Sequence, residues 1–181
     1  MYSQIGQDDI VVSLIQGKRD GTFVDIGCGR PVHINNTYLL EKDLNWTGIS
    51  INWEGDDFVP STEQEWKELR PQSKLIVADA LKLNYSEIFK ENNLPSTIDY
   101  LTLDLEPPEV TFETLLKLPL DDYIFNIVTY EHDGYRMGEE FKEKTRDYFK
   151  SHGYDLVTEL NNQDDVYAHI TFKQELYKEQ K

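Results

Sequence analysis

Short apolar runs recur along the chain with stretches of helical spacing between them, the alternation that builds a sheet covered by helices on both faces. Strands are expected at Thr22–Cys28, Thr47–Asn52, Leu75–Asp79, Ile98–Leu105 and Phe125–Glu131. Their runs are continuously apolar, as in Leu75-Ile76-Val77-Ala78, which suits parallel strands buried on both sides. Helices are expected at Asn36–Leu44, Thr62–Leu69, Ser86–Asn92, Thr111–Leu118 and Gly138–His152. Phe112, Leu115 and Leu116 share one helical face, Asn84 and Glu87 form a capping-box pair, and Gly153 supplies a left-handed stop.

The pattern changes near the end. Tyr154–Leu160 and Val166–Phe172 are strand signals separated by Asn161-Asn162-Gln163-Asp164-Asp165, too short for a helical crossover. Val166, Ala168, Ile170 and Phe172 alternate with Tyr167, His169 and Thr171, as in a half-solvated strand. The expected architecture is therefore α/β, a doubly wound, seven-stranded, mostly parallel sheet with a C-terminal antiparallel β-hairpin, in one domain over residues 1–181. Asn93-Leu94-Pro95-Ser96 and Glu106-Pro107-Pro108 fall as connecting loops, and the tail from Lys173 as a frayed end.

Composition narrows the partners. The formal charge is −16, with 34 acidic and 18 basic residues and no basic run, so a nucleic-acid or anionic-membrane surface is not expected. No segment is apolar enough to span a bilayer, and Met1-Tyr2-Ser3-Gln4 lacks the signal-peptide pattern. With one cysteine, Cys28, there is no intrachain disulfide and no thiolate zinc cluster, and a cytoplasmic protein is expected.

The chemistry begins at Phe23-Val24-Asp25-Ile26-Gly27-Cys28-Gly29, an apolar strand running into a glycine turn. Gly27 and Gly29 allow a sharp turn and close approach to a ligand. Asp25 places a carboxylate before that turn, which repels a pyrophosphate and favours a cationic ligand. The dinucleotide fingerprint is incomplete, because Val32 stands where its third glycine would be. Further along, Asp104 and Glu106 share a face if the strand continues, and Glu131, His132 and Asp133 end its neighbour. His132 has an unperturbed pKa near 6.5 and is the natural base of this group, with Glu131 or Asp133 fixing its tautomer; the alternative is a hydrogen-bonded loop histidine. Asp104, Glu106, His132 and Asp133 are also donors for hard metals, but their spacing matches no compact motif and no metal is expected.

This layout, with Asp-x-Gly-x-Gly after the first strand, resembles a class I S-adenosylmethionine-dependent methyltransferase with a Rossmann-like sheet. It resembles the FkbM-type methyltransferases more closely, over nearly the whole chain. The residues are Tyr2 to Asp8, Phe23 to Gly27, Asn35 to Lys42, Trp46 to Ile51, Asp99 to Glu106 and Thr129 to Asp133. The resemblance implies that S-adenosyl-L-methionine lies across the carboxyl ends of the first strands. Gly27, Cys28 and Gly29 would pass beneath its methionine portion, with Asp25 on the ammonium or capping the next turn. Gln4 and Gln7 would fold over it from the amino terminus, with Asn36 and Asp104 beside it. Asn52 would hold the ribose where an acid is usual, with Glu54 two residues on, and Asp79-Ala80 would meet the adenine, unless Asp79 is a helix cap. His132, Glu131, Asp104 and Glu106 become the catalytic set for methyl transfer to a hydroxyl of a small molecule or glycan. With little chain beyond the core fold, the acceptor would be held by loops after strands four and five, by the amino-terminal segment, or by a second copy in a homo-oligomer. Two alternatives remain: a non-catalytic binding or scaffold module on the same fold, and a Rossmann-type nucleotide-binding oxidoreductase.

Overall fold

The computed structural model describes residues 1–53 and 63–179. Glu54, and Thr62 at the start of an expected helix, lie outside them. The strands are β1 Thr22–Ile26, β2 Thr47–Asn52, β3 Ser73–Val77, β4 Thr97–Leu103, β5 Ile124–Glu131, β6 Tyr154–Leu160 and β7 Asp164–His169. They form a seven-stranded sheet in the order β3-β2-β1-β4-β5-β7-β6. β1 to β5 are mutually parallel, and β7 runs antiparallel between β5 and β6. The helices are α1 Gln7–Leu14, α2 Tyr38–Leu44, α3 Glu63–Leu69, α4 Tyr85–Glu91, α5 Pro108–Leu115, α6 Gly134–Met137, α7 Glu140–Ser151 and α8 Ile170–Glu179, with a 3₁₀ turn at Ala80–Lys82. No helix among the described residues is long and apolar enough to cross a membrane.

Strand alternation divides the side chains between two cores. Phe23, Tyr100 and Ile127 pack with Val11 of α1, with Ile15 just past its end, with Leu40 of α2 and with Trp46. Val24, Leu101, Val128 and Tyr130 pack on the opposite side with Phe89 of α4, Leu115 of α5 and Phe149 of α7.

Three expectations about the elements are corrected. α5 starts at Pro108, because a proline in the first helical turn loses no backbone bond there; Pro107 and Pro108 begin the helix instead of lying in a loop. β7 is buried along its whole length and lies inside the sheet, with β6 on the edge. It also stops at His169, whose Nδ1 accepts the N–H of Thr171 and so caps α8; Ile170, Phe172 and the tail from Lys173 are helical, not strand or frayed. The β6–β7 turn carries Asn161 and Asn162 at φ of 54° and 53°, the left-handed pair that a tight hairpin requires.

A buried charge fixes the loop after β1. Arg70 is 0% exposed and follows α3. Its Nε donates to Glu41 Oε2 at 2.6 Å, Nη1 to the carbonyl of Pro31 and to Asn35 Oδ1, and Nη2 to Thr37 Oγ1 at 2.9 Å. The ring of Trp66 faces the guanidinium at 4.9 Å. An R70M variant leaves Glu41 buried without its cation and should lose about 3–5 kcal/mol in urea unfolding. Replacing both partners (E41L/R70M) should cost less than the single change; a single variant with the wild-type midpoint would show that this network contributes nothing.

Candidate functional site

Asp25, Asp104, Glu131 and Asp164 meet where the carboxyl ends of β1, β4 and β5 adjoin the start of β7. This is where an open parallel sheet forms its ligand crevice. Asp25 ends up on the α2 side, 2% exposed, and accepts the hydroxyl of Thr37 at 2.7 Å. Burial raises its pKa to about 6 against the opposing pull of Thr37 and Arg70. Asp104 lies just past the end of β4 in hydrogen-bonding contact with Glu131. Burial, that contact and the charges of Glu131, Asp164 and Asp25 hold its pKa well above the ordinary carboxylate range. Asp164 is pushed up to about 7 by burial, eased by Gln7 but reinforced by the charges of Glu131, Asp133 and Asp165.

The amino-terminal segment closes over this group. Asp8, fully buried, accepts from the N–H groups of Tyr2 and Ser3 and from the Ser3 hydroxyl, which folds residues 2–8 into a compact turn. Gln7 Nε2 then reaches Asp164 Oδ2 at 2.9 Å, and Gln4 Oε1 accepts from Gln163 at 3.1 Å. Gln163 Nε2 also donates to Glu131 Oε1 at 3.0 Å, and its carbonyl accepts the N–H groups of His132 and Asp133. Sequence reasoning found Gln4 and Gln7 but missed Asp8, Gln163, Asp164 and Arg70. The adjacent Asn161-Asn162 turn gave Gln163 and Asp164 the look of solvated hairpin residues.

The glycine turn divides its work. Gly27 sits at φ 87°, and a Cβ there would fall 1.7 Å from the carbonyl oxygen of Asp104. Its bareness therefore serves the close approach of the chain leaving β4. Gly29, at φ 57°, has nothing within 4 Å of its missing Cβ, so the open side of the turn is there. Cys28 is buried between them. Asn36 donates to Thr102 Oγ1 at 3.0 Å, and Asn52 is buried at the end of β2 with its Nδ2 lacking a partner. Asp79 caps the 3₁₀ turn through the N–H of Leu81 and pairs with Lys82; Ala80, behind it, is buried and accepts from Tyr85.

The acidic pocket with one imidazole does not form as expected. Glu131 and His132 are consecutive, so they leave the sheet toward opposite faces. His132 is 0% exposed, its Nδ1 accepts the N–H of Gly134 at 3.0 Å, and its Nε2 faces Asp165 at 3.5 Å. Gly134, not Glu131 or Asp133, fixes the tautomer. Asp165 is buried and held by two bonds from Arg146 of α7 at 2.7 Å. Burial alone would raise its pKa; Arg146, His132 and Tyr167 instead hold it down at about 2. Asp104 and Glu106 also separate, because β4 ends at Leu103. Asp104 turns inward to Glu131, whereas exposed Glu106 accepts from Arg136 at 2.5 Å.

Two recesses of about 410 and 220 Å³ lie along β3 and at the amino ends of β1 and β2, among Trp66 and Ser73 and among Thr22 and Thr47. Neither gathers convergent ionisable groups, so the acid cluster marks the candidate site. The donor set fits a cationic, hydroxyl-bearing ligand: unbalanced buried carboxylates, an orphaned amide on Asn52, and open space beside Gly29.

The same architecture occurs in solved structures. A candidate rRNA methylase from Clostridium thermocellum is 16% identical with a TM-score of 0.58, over 93% of this chain and 97% of that one. The O-methyltransferase NovP is 15% identical with a TM-score of 0.57, over 91% and 78%. A SAM-dependent methyltransferase from Geobacter sulfurreducens, in complex with S-adenosyl-L-homocysteine, is 13% identical with a TM-score of 0.51, over 87% and 68%. At such identities the likeness is one of fold, and the fold is that of the class I methyltransferases. No protein-family model matches the chain, and no curated protein does.

Asp25 gives this site a pH signature. Its carboxyl titrates near 3.8 when unfolded and about 6 when folded, so the native state is favoured by this group at low pH. That contribution is lost as pH rises through 6. D25N keeps an acceptor for Thr37 and cannot ionise. Its stability relative to wild type should rise by up to about 3 kcal/mol between pH 4 and 7.5. Urea unfolding at both pH values measures this, and an equal difference at each would refute it.

Proposed function

We propose that this protein is an S-adenosylmethionine-dependent methyltransferase of the FkbM type that methylates a hydroxyl of a small molecule or glycan in the cytoplasm. The observation that carries the reading is the cation-seeking crevice at the carboxyl ends of β1, β4 and β5, in a sheet whose order and antiparallel β7 are those of class I methyltransferases. The Geobacter sulfurreducens enzyme of this fold is in complex with S-adenosyl-L-homocysteine, which supports the choice of cofactor. The fold alone does not select the acceptor, since one structure that shares it is named an rRNA methylase. A net charge of −16 without a basic run favours a small molecule or glycan over RNA.

On this reading Asp25 and Asp104 hold the positive groups of the cofactor, and Gly27, Cys28 and Gly29 form the turn beneath it. Asn52 donates to the ribose, Asn36, Asp79 and Ala80 border the pocket, and Gln4 and Gln7 close it. When bound, the cofactor supplies an electrophilic methyl group on a sulfonium. The methyl–sulfur bond would break to leave the neutral thioether S-adenosylhomocysteine as the acceptor oxygen takes the methyl, and a carboxylate of the site would take the hydroxyl proton. Glu131 is the base we assign, steadied by the side-chain amide of Gln163 and in hydrogen-bonding contact with Asp104. Glu106 borders the acceptor side. His132, without exposed surface and facing Asp165, acts as a positioning residue that holds the end of β5.

Calorimetric titration should show S-adenosylhomocysteine binding and no binding of NADH. Transfer of labelled methyl to a panel of hydroxylated acceptors should fall about 10²–10⁴-fold in E131Q, with S-adenosylhomocysteine affinity kept within a few-fold. Binding of NADH alone would turn the assignment to an oxidoreductase, and binding of neither to a non-catalytic module.

A further inference from the structure

The carboxylates of Glu106, Glu131 and Asp133 converge from the exits of β4 and β5. One oxygen from each lies within 4.8 Å of the other two. Glu131 and Asp133 are buried and Glu106 is exposed, so the cluster opens to the surface on one side.

A fourth carboxylate stands behind them. Asp164 is directly opposite Glu131 in the antiparallel β5–β7 ladder. Cross-strand partners share a face with their Cβ atoms about 5 Å apart, which aims Asp164 at the cluster. Asp164 is 2% exposed; Gln7 donates to its Oδ2, and its Oδ1 is buried with no partner. An ionised carboxylate oxygen can only accept, so Gln7 alone leaves this group short of positive charge.

One cation is already near. Arg136, on the single helical turn of α6, donates to Glu106 and to Asp133. Its side chain is 46% exposed, and its single charge is shared between those two carboxylates.

We propose that Glu106, Glu131 and Asp133 form a binding site for one hard divalent cation, with Asp164 as the buried acid behind it. The all-oxygen donor set selects Mg²⁺, Mn²⁺ or Ca²⁺ over softer ions. Ligand oxygens lie about 2.0–2.6 Å from such ions, so oxygens sharing one ion fall within about 5 Å of each other, as these do. Three carboxylates leave coordination positions for water or for an oxygen of a bound molecule. Arg136 competes with the ion for Glu106 and Asp133. The residue spacing along the chain matches no metal motif; only the fold brings the three together. The site shares Glu106 and Glu131 with the proposed methyltransferase site, but its test reads ion binding alone, without cofactor or acceptor, so the two readings can fail separately.

Chelator-treated full-length protein titrated with MnCl₂, MgCl₂ and CaCl₂ in about 0.15 M salt, by calorimetry and by the Mn²⁺ paramagnetic resonance signal, tests this. One saturable ion per chain is expected. E106Q should weaken it at least tenfold, as should D133N, whose asparagine tolerates the left-handed backbone at that position (φ 50°). R136A should tighten it several-fold. E91Q, an exposed carboxylate on α4, should leave it unchanged. Because Glu106 is exposed, E106Q should stay folded, and circular dichroism checks that it does. The proposal is overturned if no ion saturates the wild-type protein, or if E106Q and E91Q bind ions equally. Either result would reduce the cluster to ordinary acidic surface.

Discussion

Arg70 bonds to the loop between β1 and α2 at Pro31, Asn35 and Thr37, and to α2 itself at Glu41, and through Thr37 it reaches Asp25. A guanidinium withdrawn from water must satisfy its donors in a fixed plane, so its partners cannot drift independently. The rings of Trp66, Phe23 and Tyr38 lie around that guanidinium, which is 0% exposed. The loop that shapes one wall of the crevice is therefore tied to a charge fully withdrawn from solvent. Asp25, at the edge of the crevice, inherits this rigidity through the Thr37 hydroxyl.

The opposite wall depends on strand periodicity. At the end of β5, Glu131 faces α1 and the amino-terminal turn, whereas His132 faces α7. Across the ladder, Asp164 and Asp165 divide in the same way, one toward Gln7 and the other toward Arg146. One pair of neighbouring residues thus builds a site and its neighbours build the anchor beneath it. The anchor is charge-balanced, with Asp165 held at about 2 beside Arg146. The site is not, with Asp25 at about 6 and Asp164 at about 7. Leaving carboxylates buried without a balancing cation costs stability, and such a cost concentrates at functional sites.

Much of this was legible in the chain. Continuous apolar runs located the five parallel strands, and the short Asn161–Asp165 connection required the final hairpin. Carboxylates at strand ends, namely Asp25, Asp104 and Glu131, were found because an acid after an apolar run is conspicuous. What escaped detection had no local signal. Arg70 resembles a helix-terminal surface residue until its partners from residues 31–41 are folded against it. Asp164 and Asp165 belong to a polar run after a turn, and only their pairing with β5 buries them. Ile170 and Phe172 continued an alternation that His169 interrupts by capping α8, a tertiary choice that periodicity cannot register. His132 was conspicuous as the imidazole beside the acids, and one residue of strand phase turns it toward Asp165, on the opposite face from Glu131.

That phase has a mechanical consequence. The exit of β5 is gripped from both faces: Gln163 holds Glu131 by its side chain and His132 and Asp133 by its carbonyl. Asp165 and Gly134 hold the imidazole between them, and Arg146 ties Asp165 to α7. A carboxylate that must meet a reacting atom needs its backbone fixed to within a fraction of an ångström, because small misplacements cost large factors in rate. Of the fixing groups, Gln163 lies on the crevice side, whereas Asp165 and Arg146 lie on the far side of the sheet, away from the crevice. The imidazole is thus coupled to the same strand end as the acids without entering the crevice, and its influence on any chemistry there has to pass through the position of Glu131.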